Sequence, residues 1–375
     1  MSPQEAYQSR EAEFGASAER LRKLAERLSM ARLAAFAGGL LLFAVLLSLS
    51  VMAALVTLSA ALILFAWLVI KHENTEKSRK RYLRLAEINR LELKCLEGDF
   101  SGFKPGEEYA ERDHPYSYDL DIFGKASLFQ FICRTTSRPA SDRLAEYLKQ
   151  PATKDEILLR QEAVAELQPL TDWRQELMTL GYVTAGAGND PAQLRQWLDS
   201  DDLFSKTGRE KIITGCLTFM ALAAVIAVIA GLPAGILAPL FGVNFIFYFT
   251  RFRKISKLQE QVSRSSDLLK AYSAIINLIE NRNFASPLLK KIQAAFRDEI
   301  AASDRIRQLS KLVSRLDYRL NVLVSAPLNL LFFTDIHFCL ALEKWKREHA
   351  SRIPGWFDSM AEFEALASLA NMAFN

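Results

Sequence analysis

Residues 33–70 read LAAFAGGLLLFAVLLSLSVMAALVTLSAALILFAWLVI and contain no charged side chain. One transmembrane helix needs roughly 20 apolar residues, so this run of about 38 residues is long enough for two spans joined by a tight turn. The turn is predicted near Ser48-Leu49-Ser50, and Arg32 and Lys71 close the two ends. A buried helical hairpin of a soluble protein is the alternative, but uncharged runs of this length are rare in soluble folds. The run predicts a first transmembrane hairpin.

A second uncharged run extends from Ile212 to Thr250, with Gly231-Leu232-Pro233-Ala234-Gly235 near its middle. It predicts a second hairpin, and therefore four spans in total. Pro239 is expected to make the fourth span short or bent. Asn244 is interpreted as an interhelical hydrogen-bonding group rather than a transport site. Neither run contains an ionisable residue, which argues against an ion or proton pathway.

Basic residues flank both hairpins, which places both ends of each hairpin in the cytoplasm by the positive-inside rule. We expect a multi-pass protein of the inner (cytoplasmic) membrane with both termini and its soluble regions in the cytoplasm. The basic side chains could contact phosphates, and their juxtamembrane position favours anionic lipid headgroups. The candidate lipid or phosphate contacts are Lys77, Arg79, Lys80, Arg81, Arg251, Arg253 and Lys254.

Composition sets outer limits on the interpretation. The chain has 375 residues, which allows two or three domains, and it is 50% hydrophobic and 24% charged. A net charge of +4 is too small to indicate nucleic-acid binding by itself. The scattered cysteines lack metal-ligand spacing and are expected to be unpaired thiols in a reducing compartment. They are Cys95, Cys133, Cys216 and Cys339.

Between the hairpins, prolines, glycines and capping residues mark the boundaries of the predicted helices. Residues 116–123 alternate between apolar and polar side chains, which predicts a short strand or extended segment ending at Gly124. Pro139 and Pro151 bracket a helix, and Thr153-Lys154-Asp155-Glu156 predicts a capping box for the next one, which runs to about Gln168. A further helix is capped by Thr171 and stops at Gly181. Asn189-Asp190-Pro191 is a predicted loop before a short helix.

After the second hairpin the pattern predicts long amphipathic helices. One continues from Phe252 to Glu280, and Pro287 opens another. Residues 320–342 are apolar and are interpreted as a buried soluble helix, with a fifth span as the alternative; Asp335 and His337 are expected to be a satisfied polar pair. Residues 353–356 are predicted to be a turn, and 359–374 a last helix.

Few residues suggest chemistry. Asp113, His114, Asp119 and Asp121 could hold a hard cation, although a solvated strand face is the simpler interpretation. Arg134, Arg138 and Arg143 could bind phosphate, or could be ordinary surface arginines. The sequence contains no phosphate-binding GxxxxGK[ST] loop and no GxSxG, HExxH, GxGxxG or kinase motif. We therefore assign no catalytic, cofactor-binding or metal-binding residue, and we expect that this chain is not itself an enzyme.

A resemblance covers roughly residues 114–200 and 255–375. Its elements are Ser127-Leu128-Phe129, Arg134-Thr135-Thr136, Arg143-Leu144, Arg160-Gln161 and the segment Glu362-Phe363-Glu364-Ala365-Leu366-Ala367-Ser368-Leu369-Ala370. In this order and spacing they resemble the helical core of the MutS mismatch-repair family. The resemblance gives Ser127, Leu128, Arg134, Thr135, Arg143, Arg160 and Gln161 a structural role.

The resemblance also implies a mechanism. In that family an ATPase domain follows the core, so ATP and Mg²⁺ are expected only through a domain that this sequence does not contain. DNA as a partner and a homodimer are likewise expected from the resemblance. The mismatch-reading domain of the family has no counterpart here, since the first hairpin takes its place.

The predicted fold class is all-α: a multi-helix MutS-like core and lever with two transmembrane hairpins. The predicted function is that of a membrane-anchored MutS-like region that couples an ATPase domain to DNA or to another partner. The alternative is a structural membrane scaffold with no nucleic-acid role. The predicted regions are a cytoplasmic amphipathic helix (1–32), hairpin 1 (33–70), a basic juxtamembrane helix and loop (71–113), the first part of the core (114–205), hairpin 2 (206–250), and lever-like helices with the second part of the core (251–375).

Overall fold

The computed structural model describes residues 2–186, 191–204, 207–263, 265–297 and 300–375. About 81% of the chain is helical, and the described residues contain no strand, so the all-α prediction is confirmed. The α-helices are α1 (Pro3–Leu47), α2 (Val51–Leu96), α3 (Leu128–Ile132), α4 (Arg138–Lys149), α5 (Lys154–Leu167), α6 (Thr171–Gly186), α7 (Pro191–Asp199), α8 (Thr207–Ile229), α9 (Leu237–Val262), α10 (Ser265–Glu280), α11 (Pro287–Ala294), α12 (Ala302–Asp317), α13 (Val322–Phe332), α14 (Thr334–His349) and α15 (Ile353–Phe374).

The chain divides into two compact units. The first comprises Met1–Cys133, Thr171–Thr179 and Asn371–Asn375, and the second comprises Arg134–Leu170 and Leu180–Ala370. Each predicted hairpin therefore belongs to a different unit. The helices also cross the predicted region boundaries at residues 32 and 70, because α1 and α2 continue without a break from apolar into charged sequence.

The first unit is built on the hairpin of α1 and α2. Ser2 and Glu5 form a capping box at the start of α1, and the chain turns at residues 48–50, where the sequence predicted the turn. A Cβ atom added to Gly39 would lie 2.5 Å from Cβ of Ala61, so the two helices approach closely at this glycine. Both helices are long and apolar enough to cross a membrane.

The charged half of this hairpin is closed by a polar network. Nδ2 of Asn89 donates to Oε1 of Gln175 (3.0 Å), which also accepts from Nε of Arg10 (3.1 Å). The phenol of Tyr7 donates to Oδ1 of Asn375 (2.7 Å), and Tyr7 is fully buried. Segments 171–179 and 371–375 are therefore integral parts of the first unit, although they are distant in sequence.

The strand predicted at residues 116–123 is wrong. The backbone there forms local turns, since N–H of Leu120 donates to O of Tyr116 and N–H of Ile122 donates to O of Ser117. Asp121 and Gly124 have positive φ angles of 47° and 114°. The described residues offer no neighbouring strand with which an isolated extended segment could pair, so local hydrogen bonds replace the alternating pattern.

In the second unit the predicted helix boundaries around Pro139 and Pro151 are confirmed. Thr153 and Glu156 form the predicted capping box of α5. The predicted end at Gly181 is wrong, because α6 continues to Gly186. A Cβ atom at Gly181 would overlap with Oγ1 of Thr136, so this glycine permits close packing and does not terminate a helix. Asn189 and Asp190 lie outside the described residues.

The second hairpin consists of α8 and α9, and both are long and apolar enough to span a membrane. Its turn contains Gly231 at a φ of 104°, as the glycine-rich centre of the run predicted. Pro239 lies in the first turn of α9, where its missing N–H has no intrahelical partner, and the helix continues to Val262. Pro239 therefore does not interrupt α9, but the uncharged part of this helix is only residues 237–250, which agrees with the expectation of a short fourth span.

The continuous helix predicted from Phe252 to Glu280 is also wrong. α9 ends at Val262 and α10 begins at Ser265, with Ser263 in an extended conformation (φ −56°, ψ 145°). α10 instead packs along α12, and Oγ of Ser310 on α12 donates to O of Ser266 on α10 (2.9 Å). The longest helices of the chain are α1 and α2, with 45 and 46 residues.

Two further expectations for the end of the chain change. Residues 320–342 do not form one buried helix: α13 ends at Phe332, Phe333 adopts a left-handed conformation, and the helical stretch Thr334–Phe374 is bent by 78° from Ser325–Phe332. Residues 353–356 are the first turn of α15 rather than an isolated turn, because proline is well tolerated at the second position of a helix. The four cysteines are unpaired, as predicted.

Candidate functional site

The centre of the second unit is a buried carboxylate on α15, which we call the Glu364 clamp. One oxygen of Glu364 accepts hydrogen bonds from N–H of Thr136 (2.9 Å), from its hydroxyl (2.8 Å) and from N–H of Ser137 (3.2 Å). The other oxygen accepts from the hydroxyl of Ser137 (2.9 Å). The donors lie in the turn before α4, and Glu364 is only 4% exposed. Four donors on one buried carboxylate hold α15 firmly against this turn.

The neighbouring contacts extend the clamp along α4 and α15. N–H of Arg134 donates to Oγ of Ser368 (2.7 Å), and Thr135 shares a hydrogen bond with Ser141 (2.7 Å). Glu362 accepts from Nε of Arg143 (3.1 Å) and from the phenol of Tyr147. The clamp therefore unites two of the segments that carry the family resemblance, residues 134–148 and 362–370.

Burial around the clamp affects nearby phenols. Burial, reinforced by the charge of Glu364, raises the pKa of Tyr272 to about 12. Burial and the charge and hydrogen bond of Glu362 also raise the pKa of Tyr147. A phenol with its ordinary pKa of about 10 is already protonated at neutral pH, so both side chains are uncharged there. Since the Glu364 oxygens are occupied by fixed donors, the geometry suits a mechanical connection better than acid–base chemistry.

The remaining residues singled out by the resemblance have mainly local roles. Oγ of Ser127 caps α3 by accepting from N–H of Gln130 (3.2 Å), while Leu128 is exposed. The guanidinium of Arg160 lies 3.9 Å from the centre of the Tyr147 ring, and Gln161 is exposed. Arg138, considered as a phosphate ligand, is exposed at the start of α4.

The basic cluster on α2 is partly neutralised within the first unit. Arg79 pairs with Glu76 (3.1 Å), and Arg81 makes a forked pair with Glu176 (2.6 Å at its shortest). Lys77 and Lys80 are exposed on the same helix. Of the four predicted phosphate or lipid contacts here, the two lysines retain the greater freedom to meet an external anion.

The basic cluster on α9 follows the same division in the second unit. Arg251 pairs with Glu210 on α8 (3.2 Å) and lies 4.0 Å from the centre of the Phe247 ring. Nζ of Lys254 donates to O of Leu203 (2.9 Å), whereas Arg253 is exposed. Two of the three predicted contacts thus also stabilise the base of the second hairpin.

The acidic cluster at 113–121 does not converge on one point. Nδ1 of His114 accepts from N–H of Tyr116 (3.4 Å) and of Ser117 (3.2 Å), so it caps a turn. Asp113, Asp119 and Asp121 are exposed. Among the described residues, no group of three or more His, Cys, Asp or Glu side chains is arranged to hold a metal ion.

A polar cluster that the sequence only partly indicated lies beside α9. Nδ2 of Asn244 donates to O of Leu330 (2.9 Å), which confirms the predicted interhelical role of Asn244. Asp335 accepts from the phenol of Tyr248 (2.8 Å) and pairs with Nε of Arg319 (3.2 Å). His337 does not pair with Asp335; it is exposed beside Thr334 and α8, so the predicted pair of these two side chains is wrong.

Comparisons with family models, with curated proteins and with solved structures give no match to this chain. The MutS resemblance therefore stays a prediction that depends on the residues of this chain alone.

Proposed function

We propose that this chain is the membrane-anchored core and lever region of a MutS-like protein, which couples an ATPase domain to DNA or to another partner. The ATPase domain, with its ATP and Mg²⁺, would lie on a further part of the same chain or on a separate chain. Two hairpins would anchor the region in the cytoplasmic membrane, with the helical regions in the cytoplasm. A homodimer is part of the same proposal.

The Glu364 clamp is the observation that carries this proposal. A coupling element must transmit displacement between two segments without absorbing it, which requires a stiff connection. A buried carboxylate with four donors supplies such a connection between α15 and the turn before α4. The same two segments carry the family resemblance, and α15 lies at the end where the family places its ATPase domain.

DNA binding in this proposal is electrostatic. Lys311 and Arg315 lie one turn apart on the exposed side of α12, so both can reach a phosphate backbone at once. Contacts of this kind release counterions, so the logarithm of the affinity falls linearly with the logarithm of the salt concentration. Lysines and arginines on the helices after residue 251 would provide most of these contacts.

Salt-dependent DNA binding tests the proposal directly. Fluorescence anisotropy of a labelled duplex is measured between about 50 and 200 mM salt, with the protein in zwitterionic nanodiscs. We expect the affinity to fall steeply with salt, and the double variant Lys311→Glu/Arg315→Glu to bind several-fold more weakly. Lys154→Glu, a charge reversal at the start of α5, serves as the matched control and should change the affinity little. Binding that ignores salt would contradict the proposal.

A structural scaffold is the second candidate, and the ion pairs of the basic clusters favour it. Arg79, Arg81 and Arg251 are already paired within the protein, and lipid headgroups can account for the remaining lysines. Absence of DNA binding at about 50 mM salt, with normal membrane integration, would favour the scaffold. The codons that follow Asn375 in the gene give an independent test, because a reading frame that continues into GxxxxGK[ST] would supply the ATPase of the first proposal.

A further inference from the structure

The helix α13 is unusually exposed for so apolar a segment. It contains no charged residue, and Leu323 is 90% exposed while Val322 is 69% exposed. Leu320, directly before it, is 70% exposed. An apolar surface of this kind generally marks a contact with a partner or with a membrane.

The contacts of α13 with α9 define its direction. Before α13 begins, Nη2 of Arg319 donates to Oγ of Ser256 (3.0 Å) on the basic part of α9. Near its end, O of Leu330 accepts from Asn244, in the uncharged part of the same helix. Ser256 and Asn244 are twelve residues apart, so the chain from Arg319 to Leu330 follows about 18 Å of α9 at 1.5 Å per residue. From Arg251, where the uncharged run ends, the depth to Asn244 is about 10 Å.

Asn329 pairs with polar groups of the corner after α13. Phe333 is left-handed (φ 49°), and the first N–H groups of α14 have no intrahelical partners. Oδ1 of Asn329 accepts from N–H of Asp335 (2.9 Å) and from the hydroxyl of Thr334 (3.1 Å). Non-helical backbone at membrane depth is tolerated only when such groups are paired or shielded; Asn329 pairs one of them, and Phe333 and Asp335 are buried.

The charge beside the corner is also neutralised. Asp335 pairs with Arg319 and accepts from Tyr248, and its side chain is only 4% exposed. Ionisable groups near hydrocarbon normally pair in this way. α14 then leads back from the corner towards the charged residues of its second half.

A groove of about 700 Å³ lies between α9 and α13. Phe245, Phe252, Val322 and Pro327 contribute to its apolar lining. Because Phe245 belongs to the uncharged run of α9, the groove continues the surface that a membrane-spanning α9 presents to lipid. This continuity identifies acyl chains as the occupant that fits the groove and the exposed face of α13.

We propose that α13 and the Phe333 corner form a re-entrant segment that enters the membrane beside α9 and returns through α14. Its outer face contacts the acyl chains of the leaflet on the basic side of the hairpin. The segment reaches about 10 Å past Arg251, well short of crossing a hydrocarbon core of about 30 Å. The inference depends on α9 being a membrane span, but it does not depend on a role in DNA binding.

Depth-dependent fluorescence quenching tests this segment. A polarity-sensitive dye is attached to Leu328→Cys in a Cys216→Ser background, which removes the one exposed native thiol. Leu328 is 40% exposed and lies nine residues past Arg319, on the part of α13 that is deeper than Arg251. The protein is placed in nanodiscs of phosphatidylcholine and phosphatidylglycerol. We expect lipids that carry a spin label on the acyl chain to quench the dye strongly, and aqueous iodide to quench it several-fold less than a dye at an exposed site in water.

Two control sites calibrate the result. Leu158→Cys on α5 is an exposed leucine outside the predicted spans, and Phe219→Cys on α8 lies within one. If Leu328 behaves like Leu158, the re-entrant segment does not exist. Protection of Leu328 from both quenchers would mean that a protein, such as a second copy of this chain, covers α13, and this also overturns the inference. If Phe219 is not quenched by lipid, the membrane assignment itself fails, and with it the proposed anchoring.

The variant Asn329→Leu provides an internal test of the corner. Loss of the Asn329 side chain leaves the N–H of Asp335 unpaired, so we expect lipid quenching at Leu328 to fall towards that at Leu158. Quenching at Phe219 should not change, which shows that α8 remains in the membrane. Unchanged quenching at Leu328 would refute the role assigned to this corner.

Discussion

The two apolar hairpins come from uncharged runs of nearly equal length, but different contacts close them. In the first, α1 and α2 meet where a Cβ atom at Gly39 would lie 2.5 Å from Cβ of Ala61. In the second, a Cβ atom at Gly215 or Gly242 would meet nothing within 4 Å. The side of α9 is instead covered by α13, through Asn244 and Leu330.

The first hairpin is therefore stabilised by residues close in sequence, and the second by residues that are distant in sequence. The apolar part of the first hairpin depends on small residues that lie close in sequence, as in many membrane helix pairs. The second depends on a polar corner that follows α9 by about seventy residues, and it therefore requires the rest of its unit. A change in the corner should consequently damage the second hairpin and leave the first intact.

The largest loss of stability is expected for Asp335→Ala. This change leaves the guanidinium of Arg319, whose side chain is 11% exposed, without its carboxylate. Removal of one partner from a buried ion pair typically costs about 3–5 kcal/mol. Hydrogen exchange of the amides of α13 and α14 should accelerate strongly, while that of residues 39–61 should remain unchanged.

Asp267→Ala is the matched control for this variant. Asp267 pairs with Lys270 on the surface of α10, and its side chain is 72% exposed. Exposed pairs contribute little to stability, so exchange should be nearly normal. Equal exchange in the Asp335 and Asp267 variants would mean that the corner does not stabilise the second hairpin.

A smaller loss of stability, located in the first hairpin, is expected for Gly39→Leu. The new side chain would collide with Ala61 and force the helices apart, and overpacking of this kind typically costs about 1–3 kcal/mol. Unfolding in a denaturing detergent, followed by exchange in α1 and α2, measures the loss. The adjacent variant Gly38→Leu has open space and should be nearly neutral. Similar losses for both variants would indicate altered membrane insertion rather than lost close packing, because leucine has a higher helical propensity than glycine and cannot weaken the helix itself.

The sequence predicted the features that local chemistry controls. Uncharged runs set the apolar helices, Ser48–Ser50 and Gly231 set the turns, and Thr153 with Glu156 set the start of α5. Each of these features depends on residues within one or two helical turns. The interhelical role of Asn244 was also predictable, because an amide within an apolar helix requires a partner.

The errors arose where distant residues decide the conformation. Gly181 was read as a helix end, but its absent side chain makes room for Thr136. The break at Phe333 depends on Asn329, Tyr248 and Arg319, which no periodicity links. The sequence pattern likewise does not predict the Glu364 clamp, since the donors lie more than two hundred residues before Glu364. An acidic residue in the apolar face of α15 was the signal that could have indicated it.

The smallest expected effect concerns pH and the segment that leads into α8. Asp202 pairs with Lys346 (3.1 Å) and Arg347 (2.6 Å) on α14. Burial opposes its ionisation, but these two cations outweigh burial and lower the pKa of Asp202. A lowered pKa in the folded state stabilises the fold above the unfolded pKa of about 3.9, and this stabilisation is lost as the pH falls through the folded value.

Glu343, which accepts from N–H of Leu203 and Phe204, contributes with the opposite sign because burial raises its pKa. Comparison with Asp202→Asn separates the two groups, since both proteins retain Glu343. Denaturant unfolding of the second unit should show wild type more stable than the variant at neutral pH, by about 1 kcal/mol, because Asp202 and Arg347 are partly exposed and solvent screens their ion pair. The difference should shrink below about pH 4. If the difference in unfolding free energy did not depend on pH, it would arise from packing of residues 200–204. The ion pairs between Asp202 and α14 would then not stabilise the second unit.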